Sequence, residues 1–198
     1  MTDISTLDTA TRIAAADDGT WYDPVAITLH WTTAVLVVLQ MALAQTWGLF
    51  GRPARHLLVE AHMSFGICLA AVILFRVVWR LMPGHQVRSV VSGTVQLASK
   101  AVHHVLYAIL AAEAVLGFLL RWSGGEAMSL FGLQIPSPFA PWSRAAHHQV
   151  NALHEWNGWL IIVLAAGHAA AALYHHYHLH DRVLQRMLPG GKRRAAGG

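Results

Sequence analysis

Asn151–Tyr177, NALHEWNGWLIIVLAAGHAAAALYHHY, is an apolar stretch long enough to cross a bilayer, and it carries His154 and His168 fourteen residues apart. In a helix that spacing is about 21 Å of rise, with the two side chains within roughly 40° of each other around the axis. Both imidazoles therefore share one face at two depths of a membrane. His175 follows seven residues after His168 on nearly the same face. Ionisable side chains this deep in hydrocarbon are costly and turn toward the bundle interior, where they mark function. Their partners must come from the rest of the chain.

Composition supports the membrane reading. Of 198 residues, 55% are hydrophobic and only 12% charged, roughly half the charged share of a soluble domain. The formal net charge of +4 does not indicate nucleic acid, because the basic residues are split among short connections and the tail, where they act as topology signals. The single cysteine, Cys68, lies in an apolar run, which excludes an internal disulfide and a Cys-x-x-Cys-His attachment. Any haem would be bound non-covalently. Histidine is the compositional anomaly, fourteen against two lysines. His85, His147, His178 and His180 read as loop or interfacial residues, whereas others fall within apolar runs.

Residues 1–20 are polar, lack the basic start and apolar core of a signal peptide, and are expected to form a disordered tail. Asp23-Pro24 supplies an N-cap and a preset first helical residue for a helix from about Val25 to Gly48. A second is expected from Leu57 to Leu81, closed by Met82-Pro83-Gly84, and a third from Lys100 to Trp122 after a polar connection. A longer loop, 123–149, rich in Gly, Pro and Trp, is expected to pack along the membrane surface. The fourth helix is the opening stretch. The expectation is thus an all-α integral membrane four-helix bundle over residues 21–182, followed by a basic tail, 183–198. Each span approaches or exceeds the ~20 residues a crossing needs. Nine Lys and Arg fall on the side of the termini and four on the other, which puts both termini in the cytoplasm.

That topology fixes depth. His30, near the cytoplasmic end of the first helix, and His168 share an inner level. His62 and His154, near the outer ends of their helices, share an outer one. Two His–His pairs stacked across a bilayer are what two bis-histidine haems require, each iron taking two neutral imidazoles on opposite faces of the porphyrin. A metal-ion transporter would want carboxylates among its histidines, and Glu113 is the only acidic residue near the middle of a span. Gly66 and Gly158, each four residues after a histidine, leave room for a flat macrocycle. Arg76 shares the His62 face at the inner level, where a haem propionate would satisfy its charge.

Tyr22-Asp-Pro with His30-Trp31, His62-Met-Ser-Phe-Gly, Arg76-x-x-x-Arg80, Phe131-Gly-Leu-x-Ile-Pro, Leu153-His-Glu and Gly167-His-Ala-Ala-Ala-Ala-Leu-Tyr-His-His occur in this order over about residues 21–190. Together they resemble the bacterial cytochrome b561 family, and within it the four-helix di-haem members that act as superoxide:ubiquinone oxidoreductases of the inner membrane. The resemblance implies two haems b, held by His30 with His168 and by His62 with His154. It also implies a quinone site at the cytoplasmic end near Trp31 and His175. One position departs: Glu113-Ala114 stands where many relatives read Leu-Pro.

Bis-His iron has no open position, so chemistry is expected as electron transfer at the haem edge. The function implied is oxidation of periplasmic superoxide to dioxygen, with electrons passing inward to ubiquinone. Arg52, Arg55, Arg121 and Arg144 at the outer mouth would steer the anion inward. Trp31 and His175 would meet beside the inner haem, with Lys100 and His103 extending a proton path. The competing expectation is an electron-relay subunit between a periplasmic dehydrogenase or hydrogenase and the quinone pool, which needs an outer docking patch instead.

Overall fold

In the computed structural model of the protein, which describes residues 21–83, 87 and 92–190, Asp23 opens the first helix, α1 (Pro24–Thr46). Its carboxylate accepts the Ala26 amide at 2.9 Å, and Pro24 occupies a first-turn position that needs no N–H. The same carboxylate accepts from the Trp79 indole at 3.2 Å. It therefore ties the start of α1 to the end of α2 (Arg52–Leu81).

The later helices begin earlier than their apolar runs. Gly51 and Pro53 start α2 at Arg52 rather than Leu57, α3 (Gly93–Ser123) begins before Lys100, and Ser143 caps α4 (Arg144–Tyr177) by accepting the Ala146 amide at 3.3 Å. Hydropathy marks only the part of a helix inside hydrocarbon. The caps lie in polar sequence outside it.

The α3–α4 connection accordingly shrinks to residues 124–143 and holds a small hairpin, β1 (Met128–Leu130) against β2 (Leu133–Ile135), with Leu130 opposite Leu133. Phe131 and Gly132 turn it with φ of 49° and 90°, the two positive angles of a type I′ turn. Gly132 adopts its angle without penalty, and Phe131 is held in place by Ser64. That hydroxyl accepts the Phe131 amide at 2.8 Å and donates to Glu60 O at 2.8 Å, with Ser129 O at 3.3 Å beside it. Ser64 and Ser129 are each 1% exposed. The hairpin is thus fastened into α2 two residues from His62.

Two antiparallel pairs, α1 with α2 and α3 with α4, make up the bundle; α2 meets α3, while α1 scarcely touches α4. The buried core is small: Ile73, Leu110 and Ile161, flanked by Val37, Leu69, Tyr107 and Ile109. Many large apolar side chains face outward instead, among them Val35, Val38, Leu74 and Val163. Four spans of 26 to 34 residues with such surfaces suit lipid, where only structures that satisfy their own backbone can cross. The protein is a membrane four-helix bundle in contact with lipid.

Past α4, part of the segment expected as a basic tail folds back on the bundle. Residues Gln185–Met187 form a 3₁₀ turn, the Trp31 indole donates to Met187 O at 2.8 Å, and buried Arg186 lies 5.1 Å over the Tyr22 ring. Both ends of the described chain thereby meet at one end of the bundle. The N-terminal segment 1–20 and the basic residues Lys192, Arg193 and Arg194 lie outside the described residues.

Candidate functional site

Four of the histidines singled out by spacing form two facing pairs. His62 on α2 and His154 on α4 have ring centroids 6.2 Å apart at 87°; His30 on α1 and His168 on α4 stand 6.3 Å apart at 69°. Each pair joins helices that pack little against one another directly. The core layer lies between the two levels, since Ile161 is seven residues from both His154 and His168.

At the outer level a cavity of about 710 Å³ is lined by His62, His154, Gly66, Gly117 and Gly158, a size that takes a large cofactor. A Cβ on Gly66 would come within 2.8 Å of Gln40 Nε2, and one on Gly158 within 3.2 Å of Glu113 Oε1. The small residues hold the cavity open and let these polar groups approach. Gly117, which the sequence reading passed over, sits on the His154 ring, where a Cβ would lie 3.6 Å from Cε1. Gln40 donates to His62 O at 2.9 Å and joins α1 to α2 at this level.

Beside His154 the structure adds Asn157, which escaped the sequence reading, to Glu113, which did not. Asn157 donates to Glu113 Oε2 at 2.8 Å and to Ile109 O at 2.9 Å. Glu113 Oε1 lies 3.2 Å from His154 Nδ1. That distance suits a hydrogen bond, but the N–H direction is off line, so the buried nitrogen has no aligned partner; His62 Nδ1 is likewise buried without one among the described residues.

At the inner level Arg76 donates to His30 Nδ1 at 2.9 Å and lies 5.3 Å over the Tyr107 ring. His103 places its ring 5.0 Å from that of His168 and shares its Nδ1–H with Ser99 O at 2.6 Å. Lys100 O stands 2.6 Å from His104 Nδ1. His175 pairs with the Asp181 carboxylate, which also accepts the Val183 amide at 3.0 Å. The Trp31 indole N–H is drawn to Met187 O. Asp181 was legible only in hindsight, as an acid just past the last helical histidine.

The four outer arginines do not form an uncompensated ring. Arg121 is bound to the Glu126 carboxylate, and both line the outer cavity together with Arg55 and Glu155. Arg52 and Arg144 are exposed at the first residues of α2 and α4 and are not part of the cavity lining.

A family model described as prokaryotic cytochrome b561 matches residues 21–190, nearly the whole chain. The chain belongs to that family. Cytochrome b561 homolog 2 of Escherichia coli K12 is 32% identical over 84% of this chain and 90% of its own length. Cytochrome b561 homolog 1 of the same organism is 29% identical over 86% and 98%. The "Probable superoxide oxidase CybB" of Yersinia pestis is 26% identical over 85% and 96%. As a cytochrome b561 the protein is a bacterial membrane protein of haem b electron transfer. The outer site fits that group. Two imidazoles sharing one metal ion at about 2 Å per bond have ring centres roughly 6 Å apart, and the glycine-lined cavity lies beside them.

Proposed function

We propose that this cytochrome b561 oxidises superoxide at the periplasmic face of the inner membrane and reduces ubiquinone at the cytoplasmic face, both termini being cytoplasmic. The observation that carries the reading is the pair of facing imidazole couples at two depths of one bundle. His62 with His154 would hold one haem b, and His30 with His168 a second. When bound, bis-imidazole haem supplies one-electron transfer without an open coordination position. Superoxide loses one electron and leaves as dioxygen; two such electrons and two cytoplasmic protons convert the quinone to quinol.

The chain's own groups prepare this chemistry. Ile73, Leu110 and Ile161 form an apolar layer between the levels that excludes water and ions from the electron's route. To offer Nε2 to iron, His30 must carry its proton on Nδ1, where Arg76 now donates. The guanidinium, which can only donate, would then need another acceptor, and Arg76 would be placed to hold a haem propionate. His175, oriented by Asp181, presents an imidazole able to hydrogen-bond a quinone carbonyl and pass it a proton.

The relay reading is favoured by one feature, the exposed apolar tip of the hairpin, with Phe131 68% and Leu133 65% accessible, which suits a docking partner. Anaerobic stopped-flow mixing of the purified holoprotein with superoxide, then with a ubiquinone analogue, separates the two. Rapid reduction followed by quinone-dependent reoxidation is expected. Absence of reduction by superoxide removes the proposed donor and leaves the relay.

A further inference from the structure

Glu113 is the carboxyl in mid-span that family resemblance does not account for, and it lies beside one imidazole of one pair. Oε2 is held by Asn157 at 2.8 Å, and Oε1 stands 3.2 Å from His154 Nδ1. Oε2 thus has its donor, and Oε1 lies within hydrogen-bond reach of an imidazole nitrogen that has no aligned partner of its own among the described residues. Gly158 leaves the space through which the carboxylate reaches the ring, and Gly117 leaves the ring an ordinary van der Waals contact in which to turn. Once a small turn of the ring brings Nδ1–H into line with Oε1, 3.2 Å away, Nε2 is the nitrogen that remains for iron.

We propose that Glu113 is a positioning residue for His154: its carboxylate takes the Nδ1 proton in hydrogen bond, fixes the ring with Nε2 toward the outer haem, and holds that haem's reduction potential down. This rests on the assignment of His154 as an outer axial ligand. A carboxylate behind a ligating imidazole fixes its tautomer and raises its basicity. A more basic ligand, with a negative charge behind it, favours the ferric state. The charged neighbour of the inner pair is instead the Arg76 guanidinium, so among the described residues no carboxylate acts behind His30. A lowered outer potential by itself makes the electron's step from the outer to the inner level more favourable.

The test is a spectroelectrochemical titration of the purified holoprotein, reading both haems in wild type, Glu113→Gln and Glu113→Asp. Gln keeps the shape and removes the charge; Asp keeps the charge and withdraws it from Nδ1. In Glu113→Gln the outer haem's reduction equilibrium should shift tenfold or more toward ferrous, about 59 mV for one electron, with the inner haem unmoved. Glu113→Asp should shift it less in the same direction, and supplies the reading if the Gln variant does not retain the outer haem. Unchanged outer potentials in variants that retain both haems overturn the proposal, as does an equal shift of both haems. His154→Ala is titrated alongside. If it still carries two haems, the ligand assignment itself falls; if it loses one while Glu113→Gln titrates like wild type, only the role of Glu113 falls.

Discussion

The rings of His30 and His168 face each other 6.3 Å apart across α1 and α4, two helices with little other contact. Direct packing does not set that spacing, whereas a shared axial ligation would. Two haems per chain are therefore expected in a pyridine haemochrome assay. His30→Ala and His168→Ala should each lose one and the same haem, and His62→Ala and His154→Ala the other. If His30→Ala and His62→Ala removed the same haem, the pairing would be wrong.

Arg121 and Glu126 neutralise each other at the outer cavity, leaving Arg55 as the cavity arginine without an ion pair among the described residues. Neutralising Arg55 should lower the second-order rate of reduction by superoxide and flatten its dependence on ionic strength, since salt screens over ~10 Å at 0.1 M. Glu126→Gln should do the reverse by releasing the Arg121 charge. Stopped-flow rates at several salt concentrations check both, and identical salt slopes in all three proteins would show that these charges do not steer the donor.

The hairpin is anchored through one hydroxyl. Ser64→Ala leaves the part-buried Phe131 amide without its acceptor, which costs about 1 kcal/mol. The expected outcome is a lower unfolding midpoint in detergent and faster proteolysis between residues 124 and 143. Haem content should be retained, because Ser64 itself faces the hairpin.

Spacing made the four spans and both imidazole pairs legible, because a helix converts sequence separation into depth and face, and a membrane adds a fixed direction. What escaped was short or non-local. The Met128–Ile135 hairpin has three-residue strands and depends on Ser64, far away in sequence. Asn157 and Asp181 act only through groups that the fold brings beside them. The return of Arg186 and Met187 to Tyr22 and Trp31 left no periodic signal, and the basic residues around it suggested a solvated tail.

At the inner end, His175 and Asp181 form a couple that closes the end of α4, and Asp181 also takes the Val183 amide. A carboxylate on Nδ1 leaves Nε2 directed away from it, available to a quinone carbonyl and able to relay a proton. The Trp31 indole N–H is taken up by Met187 O, so the imidazole, not the indole, is the group expected to act on the quinone. His175→Ala should keep both haems and reduction by superoxide while slowing reoxidation by a ubiquinone analogue by about tenfold, the cost of losing one hydrogen bond of roughly 1.4 kcal/mol. Asp181→Asn should slow it less, because the imidazole remains but loses its orienting charge. Trp31→Phe, which removes only the bond to Met187, should leave the quinone dependence near wild type. Stopped-flow reoxidation over a range of quinone concentrations measures all three, and a wild-type rate in His175→Ala would place the cytoplasmic quinone site elsewhere.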